Sequence, residues 1–137
     1  MNTIYSAMKA IILKDGKVLI MKRSMKEDHA QVLWDIPGGK IDFGEDPIDC
    51  LNREVMEESG IKIEIIKLLR VWSFLKDSKT QIIGITMLCK YKSGEVKISE
   101  EHTEFKWIKP EEIDNYDALD GVKEDVLLVS TESAAKQ

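Results

Sequence analysis

The alternation of apolar and polar residues predicts a β-hairpin near the start of the chain. Ala7–Leu13 and Lys17–Lys22 are rich in β-branched residues, and an Asp15-Gly16 dipeptide lies between them. An Asp-Gly turn between two such runs is a strong hairpin signal. We therefore predict two antiparallel strands, followed by a polar loop over Arg23–Gln31 and a short apolar segment over Val32–Ile36.

The next predicted element is a helix whose two ends carry sequence signals. Asp46 is a suitable N-cap, Pro47 fits the first helical position, and Gly60 fits the left-handed position after the last turn. These signals predict a helix over residues 47–59. Pro37-Gly38-Gly39, upstream of it, is expected to interrupt regular structure.

The rest of the chain predicts strands first and a helix last. The predicted strands are Ile61–Leu69, Val71–Leu75, Gln81–Tyr91 and Glu104–Ile108. A short helical turn is expected from Pro110, a closing helix over Val122–Ser130, and a frayed tail over Thr131–Gln137. The order predicts a single α+β domain over residues 1–137, with tails at about residues 1–4 and 131–137 and a mixed sheet flanked by helices.

Composition excludes several classes of protein. The 137 residues are 43% hydrophobic and 33% charged, which is typical of a globular domain. The longest strictly apolar runs have four residues, whereas a membrane span needs about 18. Because the N-terminus also lacks the pattern of a signal peptide, a cytoplasmic protein without membrane contact is expected. Cys50 and Cys89 form no CxxC pair and are expected to be small buried groups.

Charge is concentrated in one segment. Residues 39–61 contain seven acids and two bases, and their net charge of −5 equals that of the whole chain. A chain without a basic stripe is a poor partner for duplex nucleic acid, because phosphate contacts dominate such binding. Only two histidines accompany the two cysteines, so a metal site of the usual zinc type is not expected. A catalytic metal would be held by oxygen.

Three acids of the predicted helix share one face. Glu54, Glu57 and Glu58 fall within about 100° of one another, beside an apolar stripe expected to face the sheet that consists of Ile48, Leu51 and Val55. Like charges at this spacing repel one another, and the C-terminal end of a helix disfavours negative charge. A bound cation would reverse that penalty. The alternative is a solvated acidic face that Arg53 partly neutralises.

The spacing of this segment resembles a known motif. It reads Gly39, five residues, Glu45, seven residues, Arg53-Glu54-Val55, one residue, Glu57-Glu58, one residue, Gly60-Ile61. Every defined position matches the Nudix box, Gly-x5-Glu-x7-Arg-Glu-U-x-Glu-Glu-x-Gly-U with U aliphatic. The similarity covers most of residues 5–130. It implies the Nudix α/β/α sandwich, in which the box forms a loop, helix and loop beside a mixed sheet.

The resemblance also implies a chemistry. Nudix enzymes split a nucleoside diphosphate linked to another group by attack of water on phosphorus, with Mg²⁺ or Mn²⁺. By matching positions, Glu54, Glu57 and Glu58 would be metal ligands, Glu54 would help deprotonate the water, and the carbonyl of Gly38 would complete the shell. Two further residues would support the site: Arg53 by orienting the carboxylates and Glu45 by a role near the metal.

Further candidate residues lie outside the box. Some relatives recruit an acid from the loop before a late tryptophan, here Trp107. Glu101 has the better spacing from this tryptophan, and Glu100 and Glu104 are competing candidates. The alternative is that the acid is simply solvated in the loop. The adjacent His102 is expected to be a loop histidine. Two bases are plausible phosphate contacts or ordinary surface charges, namely Arg23 and Lys40.

The Nudix box does not specify the nucleobase or the leaving group of the substrate. Trp34, Tyr116 and Asp120 are candidates for a nucleobase pocket, although a core position is the favoured alternative for Trp34, as it is for Trp107. The signatures of the NADH, ADP-ribose and dinucleoside polyphosphate hydrolases are missing, which favours a MutT-like enzyme releasing a nucleoside monophosphate and pyrophosphate from a nucleoside triphosphate. The alternatives are an ADP-ribose or nucleotide-sugar pyrophosphatase and a non-catalytic nucleotide-sensing module. The expected partner is a small-molecule nucleotide, and the protein is expected to be a monomer or homodimer.

Overall fold

A computed structural model describes residues 1–24 and 33–135, so most of the predicted loop over Arg23–Gln31 lies outside the described residues. The elements in chain order are β1 Thr3–Lys14, β2 Lys17–Arg23, β3 Trp34–Asp35, β4 Gly38–Lys40, α1 Pro47–Ser59, β5 Lys62–Asp77, β6 Thr80–Ser93, β7 His102–Ile108, a 3-10 helix Pro110–Asn115 and α2 Asp120–Ala135.

The strands form one mixed sheet with β1 near its centre. The order is β3-β2-β1-β6-β5, β4 also pairs with β1, and β7 also pairs with β2. The β1–β6 ladder is parallel and the other ladders are antiparallel. Asp15 and Gly16 both have positive φ, at 51° and 77°, as a tight hairpin turn requires. The predicted α+β fold and N-terminal hairpin are confirmed.

Both faces of the sheet are covered by a helix. Met8 and Ile12 of β1 pack with Leu51 and Val55 of α1 in one buried cluster. Ile11, between them in sequence, packs in a second cluster that includes two valines of α2, Val126 and Val129. Because successive side chains of a strand point to opposite faces, β1 contributes to both clusters. The result is an α/β/α sandwich.

The helix signals around α1 were accurate. The Asp46 carboxylate accepts a 2.8 Å hydrogen bond from the backbone N–H of Ile48, Pro47 opens the helix, and Gly60 has the left-handed φ of 74° that suits glycine. The predicted apolar face needs one correction, because the side chain of Ile48 is exposed whereas Leu51 and Val55 are buried. Ile48 lies in the first turn, beyond the edge of the sheet contact. Both cysteines are buried, as predicted.

Two predicted breaks are wrong. Pro37-Gly38-Gly39 does not end regular structure, since Gly38–Lys40 forms strand β4 against β1. Residues 62–77 form one strand, where the sequence predicted two segments separated at Arg70. Register shifts disturb the alternation of β5 around that position, and the side chain of Arg70 donates to buried Asp125 of α2. At the C-terminus, α2 extends to Ala135, into the segment expected to be frayed.

Candidate active site

Glu58, in the last turn of α1, is the most buried acid of the box. Only 7% of the residue is exposed, and its carboxylate accepts a 2.8 Å hydrogen bond from the backbone N–H of Gly38. Burial raises its pKa to about 7, against the opposing effects of the Gly38 hydrogen bond and the Lys9 charge. The alternative of a solvated acidic face therefore does not apply to Glu58, which is buried against β4.

Glu54 lies one turn earlier and contacts β4. Its side chain is 16% exposed, and burial raises its pKa. A Cβ atom added to Gly39 would lie 2.4 Å from the carboxyl carbon of Glu54. Any side chain at residue 39 would thus displace this carboxylate, which gives a physical reason for the glycine that opens the box.

Arg53 binds three of the four glutamates of the box. Its guanidinium donates two hydrogen bonds to Glu45, at 2.7 and 2.9 Å. It donates further bonds to Glu54 at 3.0 Å and to Glu57 at 3.2 Å. The bond from Arg53 is the main cause that lowers the pKa of Glu45 to about 2. Glu45 is thus a fixed anion that orients Arg53, whereas Glu57, with 59% of its side chain exposed, stays accessible.

The acid before Trp107 that approaches the helix is Glu101. One carboxylate oxygen each from Glu58 and Glu101 and one ring nitrogen of His102 lie within 4.8 Å of one another. Glu104 is instead part of β7 and forms a 3.4 Å ion pair with Lys22. This geometry favours Glu101 among the candidate loop acids.

Arg23 and Lys40, the two predicted phosphate contacts, differ in their position relative to the carboxylates. Arg23 ends β2 and pairs in register with His102, so its backbone lies beside the carboxylate group. Lys40 lies inside the box segment, but its ammonium nitrogen is 4.2 Å from the ring centroid of Tyr5. The structure therefore brings Arg23 to the edge of the site and places the Lys40 ammonium over an aromatic ring.

The predicted nucleobase residues lie on the opposite face of the sheet. Trp34 is buried in the cluster beneath α2, and its ring meets that of Tyr116 edge to face with centroids 5.3 Å apart. Asp120 is exposed at the start of α2. Trp34 is thus a core residue, and a role in base binding for Trp34 or Asp120 stays a prediction. Trp107 is partly buried against the other cluster.

Two residues near the carboxylates were missed or misassigned from sequence. Lys9 of β1 donates a 3.0 Å hydrogen bond to Asp35, and its charge acts on Glu58. The signal for Lys9 was a lone base in an apolar strand. His102 was expected in a loop, but it is the first residue of β7 and 7% exposed. Burial lowers its pKa.

Clustered carboxylates, two of them with pKa values raised by burial, suit a hard divalent cation. Oxygen ligands are those preferred by Mg²⁺, and a cation would offset both the burial of Glu58 and its repulsion with Glu54. The residues present thus fit the divalent metal on which Nudix chemistry generally depends. The sandwich and the acidic box together define a metal-assisted phosphoanhydride hydrolase.

Comparison with known proteins agrees with this class. The family model of the NUDIX domain matches residues 5–128, and the chain belongs to the Nudix family. It is 31% identical over 121 residues to a "MutT-like protein" of Streptomyces ambofaciens, covering 81% of this chain and 73% of the relative. It is 30% identical over 118 residues to the "Nucleoside triphosphatase NudI" of Escherichia coli, covering 78% and 83%.

A solved structure shows the same fold. The MutT protein of Methanosarcina mazei superposes with a TM-score of 0.81 at 26% identity, covering 99% of this chain and 98% of that one. The chain is therefore a Nudix hydrolase that cleaves pyrophosphate bonds. Within the described residues, none of the helices is long and apolar enough to cross a membrane.

Proposed function

We propose that this enzyme hydrolyses nucleoside triphosphates or their deoxy forms to a nucleoside monophosphate and pyrophosphate, with Mg²⁺ or Mn²⁺. The observation that carries the proposal is the approach of Glu101 to Glu58 within 4.8 Å. These residues belong to different elements, so only the fold brings their carboxylates together, beside the Glu54 and Glu57 carboxylates bound by Arg53.

Each residue then has a defined role. Glu57, Glu58 and Glu101 would hold the cation together with Glu54, and the Gly38 carbonyl is a further candidate ligand. The metal, when bound, would neutralise charge on the phosphate oxygens and lower the pKa of water. Glu54 accepts the proton of the attacking water, a role suited to a carboxylate whose pKa is raised by burial.

Three further residues support this arrangement. Arg53 fixes the direction of the Glu54 and Glu57 carboxylates, and Glu45 fixes Arg53. Arg23, at the end of β2, is the candidate contact for the substrate phosphates because it pairs in register with the segment that carries Glu101. The Lys40 ammonium would have to leave the Tyr5 ring to make the same contact.

The substrate class is inferred from relatives and from missing signatures. The E. coli relative is a nucleoside triphosphatase, and the sequence lacks the marks of the ADP-ribose class. A second candidate, hydrolysis of a nucleotide sugar or ADP-ribose, is supported by a UDP-X diphosphatase structure that superposes with a TM-score of 0.74 at 25% identity. A purely sensing module has no need for a complete set of metal-binding carboxylates.

A nucleotide panel tests the proposal. Purified enzyme is incubated with nucleoside triphosphates, ADP-ribose and UDP-sugars in Mg²⁺, in Mn²⁺ or in EDTA, and products are identified by mass. We expect monophosphate and pyrophosphate from the triphosphates and no turnover in EDTA. Glu54→Gln should lower kcat by about 10² or more, whereas Glu111→Gln, which changes an exposed acid of the 3-10 helix, should not.

Two outcomes would contradict the proposal. A kcat/KM at least tenfold higher for ADP-ribose, about 1.4 kcal/mol of transition-state preference, would move the enzyme to the second candidate. Nucleotide binding without any turnover in either metal would instead indicate a sensing module.

A further inference from the structure

His102 is a buried histidine with an unsatisfied nitrogen. The residue is 7% exposed, and its Nδ1 atom is shielded from solvent without a hydrogen-bond partner among the described residues. Buried polar atoms are nearly always hydrogen-bonded, so each exception calls for a physical reason. A ligand that is bound in the working enzyme would be such a reason.

A ring nitrogen of His102 lies near two carboxylates. One ring nitrogen of His102 and one oxygen each of Glu58 and Glu101 lie within 4.8 Å of one another. Metal–ligand bonds of about 2.0 to 2.4 Å place ligand atoms at most about 4 to 4.8 Å apart. The three atoms are therefore spaced to contact one cation with little or no movement.

The backbone around His102 is held by several hydrogen bonds. Its N–H donates to the carbonyl of Ser99 at 3.2 Å, and the carbonyl of Glu101 accepts from the N–H of Ser24 at 2.8 Å. His102 also pairs in register with Arg23 at a β-bulge. Bulges change the direction of side chains and are frequent beside active sites. The His102 ring and the Glu101 side chain therefore extend from the same hydrogen-bonded backbone segment.

We propose that His102 is a nitrogen ligand of a cation bound by Glu58 and Glu101, and that this mixed site selects a first-row transition-metal ion over Mg²⁺. Imidazole is a good ligand for these ions, whereas Mg²⁺ takes oxygen ligands. The inference rests on the proposed function, because Glu58 and Glu101 belong to that metal site. It adds a ligand and a metal preference that the box carboxylates do not supply.

Electron spin-echo spectroscopy with Mn²⁺ as the probe tests this ligand directly. The sequence contains only one other histidine, His29, so an untagged His29→Gln protein has His102 as its sole imidazole. We expect ¹⁴N modulation of the Mn²⁺ signal in this variant, replaced by the ¹⁵N pattern after labelling with ¹⁵N-histidine. Bound Mn²⁺ without histidine-nitrogen coupling in that variant would overturn the proposal.

Metal affinity gives a second measurement. His102→Gln should weaken Mn²⁺ binding by about tenfold or more, the size seen when partners of a metal site are removed, and Mg²⁺ binding by less than about threefold. Equal losses for both ions would show that the residue only supports the fold, and would overturn the proposal. Because the His29→Gln experiment keeps His102, the test does not depend on the folding of His102→Gln.

The outcomes separate the two proposals. Mn²⁺ bound through oxygen alone, with metal-dependent hydrolysis intact, removes the His102 ligand and leaves the proposed function. If the protein shows no Mn²⁺ binding and no metal-dependent hydrolysis, both the His102 ligand and the proposed function are contradicted.

Discussion

Replacing Glu58 with glutamine should stabilise the metal-free protein, although it removes a proposed metal ligand. Glu58 is buried, and its pKa is raised from 4.5 to about 7. Glutamine has nearly the same shape, and its side-chain oxygen can accept the same bond from the Gly38 N–H. The substitution therefore removes a buried negative charge and keeps its hydrogen bond.

The size of the effect follows from the pKa. A tenfold change in proton affinity is worth about 1.4 kcal/mol, so the rise from 4.5 to about 7 corresponds to about 3 kcal/mol. Between these pH values the native state binds more protons than the unfolded state, so the free energy of unfolding falls as pH rises through the interval. The advantage of Glu58→Gln should be absent below pH 4.5 and complete above about pH 7.5.

Thermal melting in EDTA measures this difference. An unfolding entropy of about 2.1 cal/mol/K per residue over 137 residues converts 3 kcal/mol into a rise in Tm of about 10 °C at pH 8. Glu57→Gln is the matched control, because its exposed side chain should change the free energy of unfolding by less than about 1 kcal/mol. Added Mn²⁺ should raise the Tm of wild type more than that of Glu58→Gln.

A Tm difference between Glu58→Gln and wild type that is near zero at pH 8, or that does not change between pH 4.5 and 8, would refute the reasoning. His102 is buried in both proteins, and its effect on the pH dependence of the free energy of unfolding has the opposite sign. Burial lowers the pKa of that histidine, and its contribution to the free energy of unfolding therefore grows as pH rises.

Three other substitutions have defined outcomes. Arg53→Lys cannot bridge several carboxylates, so kcat for the preferred triphosphate should fall by about 10², and unchanged steady-state kinetics would contradict this. Glu101→Gln should lower kcat far more than Glu100→Gln in the same assay. Equal effects within about twofold would indicate that Glu101 is a solvated loop acid and not a metal ligand. Asp125→Ala leaves the Arg70 guanidinium without its buried acceptor, so Tm should fall by about 10 °C, or about 3 kcal/mol, with kcat unchanged below the transition.

Local signals predicted α1 well because they act within a few residues. Asp46, Pro47 and Gly60 satisfy the backbone groups at the two helix ends, and this chemistry is independent of the rest of the fold. The box residues were likewise found by their spacing alone. The hairpin at Asp15 was predicted for the same reason, since a tight turn depends on its own dihedral angles.

The burial of Glu58 and His102 was not predictable in this way. It depends on which strands lie against α1, and glycine-rich β4 gave no strand signal. The ladder between β2 and β7 brings His102 to Arg23, a long-range pairing that no local pattern encodes. Arg70 misled the strand prediction because this partly buried base, which binds Asp125, interrupts the apolar alternation as a loop would.

Buried carboxylates on the two faces of the sheet have different hydrogen-bond partners, and this difference supports the proposed position of the metal site. Beneath α2, the Asp125 carboxylate accepts bonds from the Arg70 guanidinium and, at 2.7 Å, from the Thr86 hydroxyl, so this charge is neutralised within the fold. Beneath α1, the Glu58 carboxylate accepts from a neutral backbone N–H. Buried anions need a cationic partner to be stable. Asp125 has a cation bonded to it within the fold, whereas Glu58 has a neutral N–H donor and only the nearby charge of Lys9. Under the proposed function, a bound metal ion would complete the compensation of the Glu58 charge and place the chemistry on the α1 face.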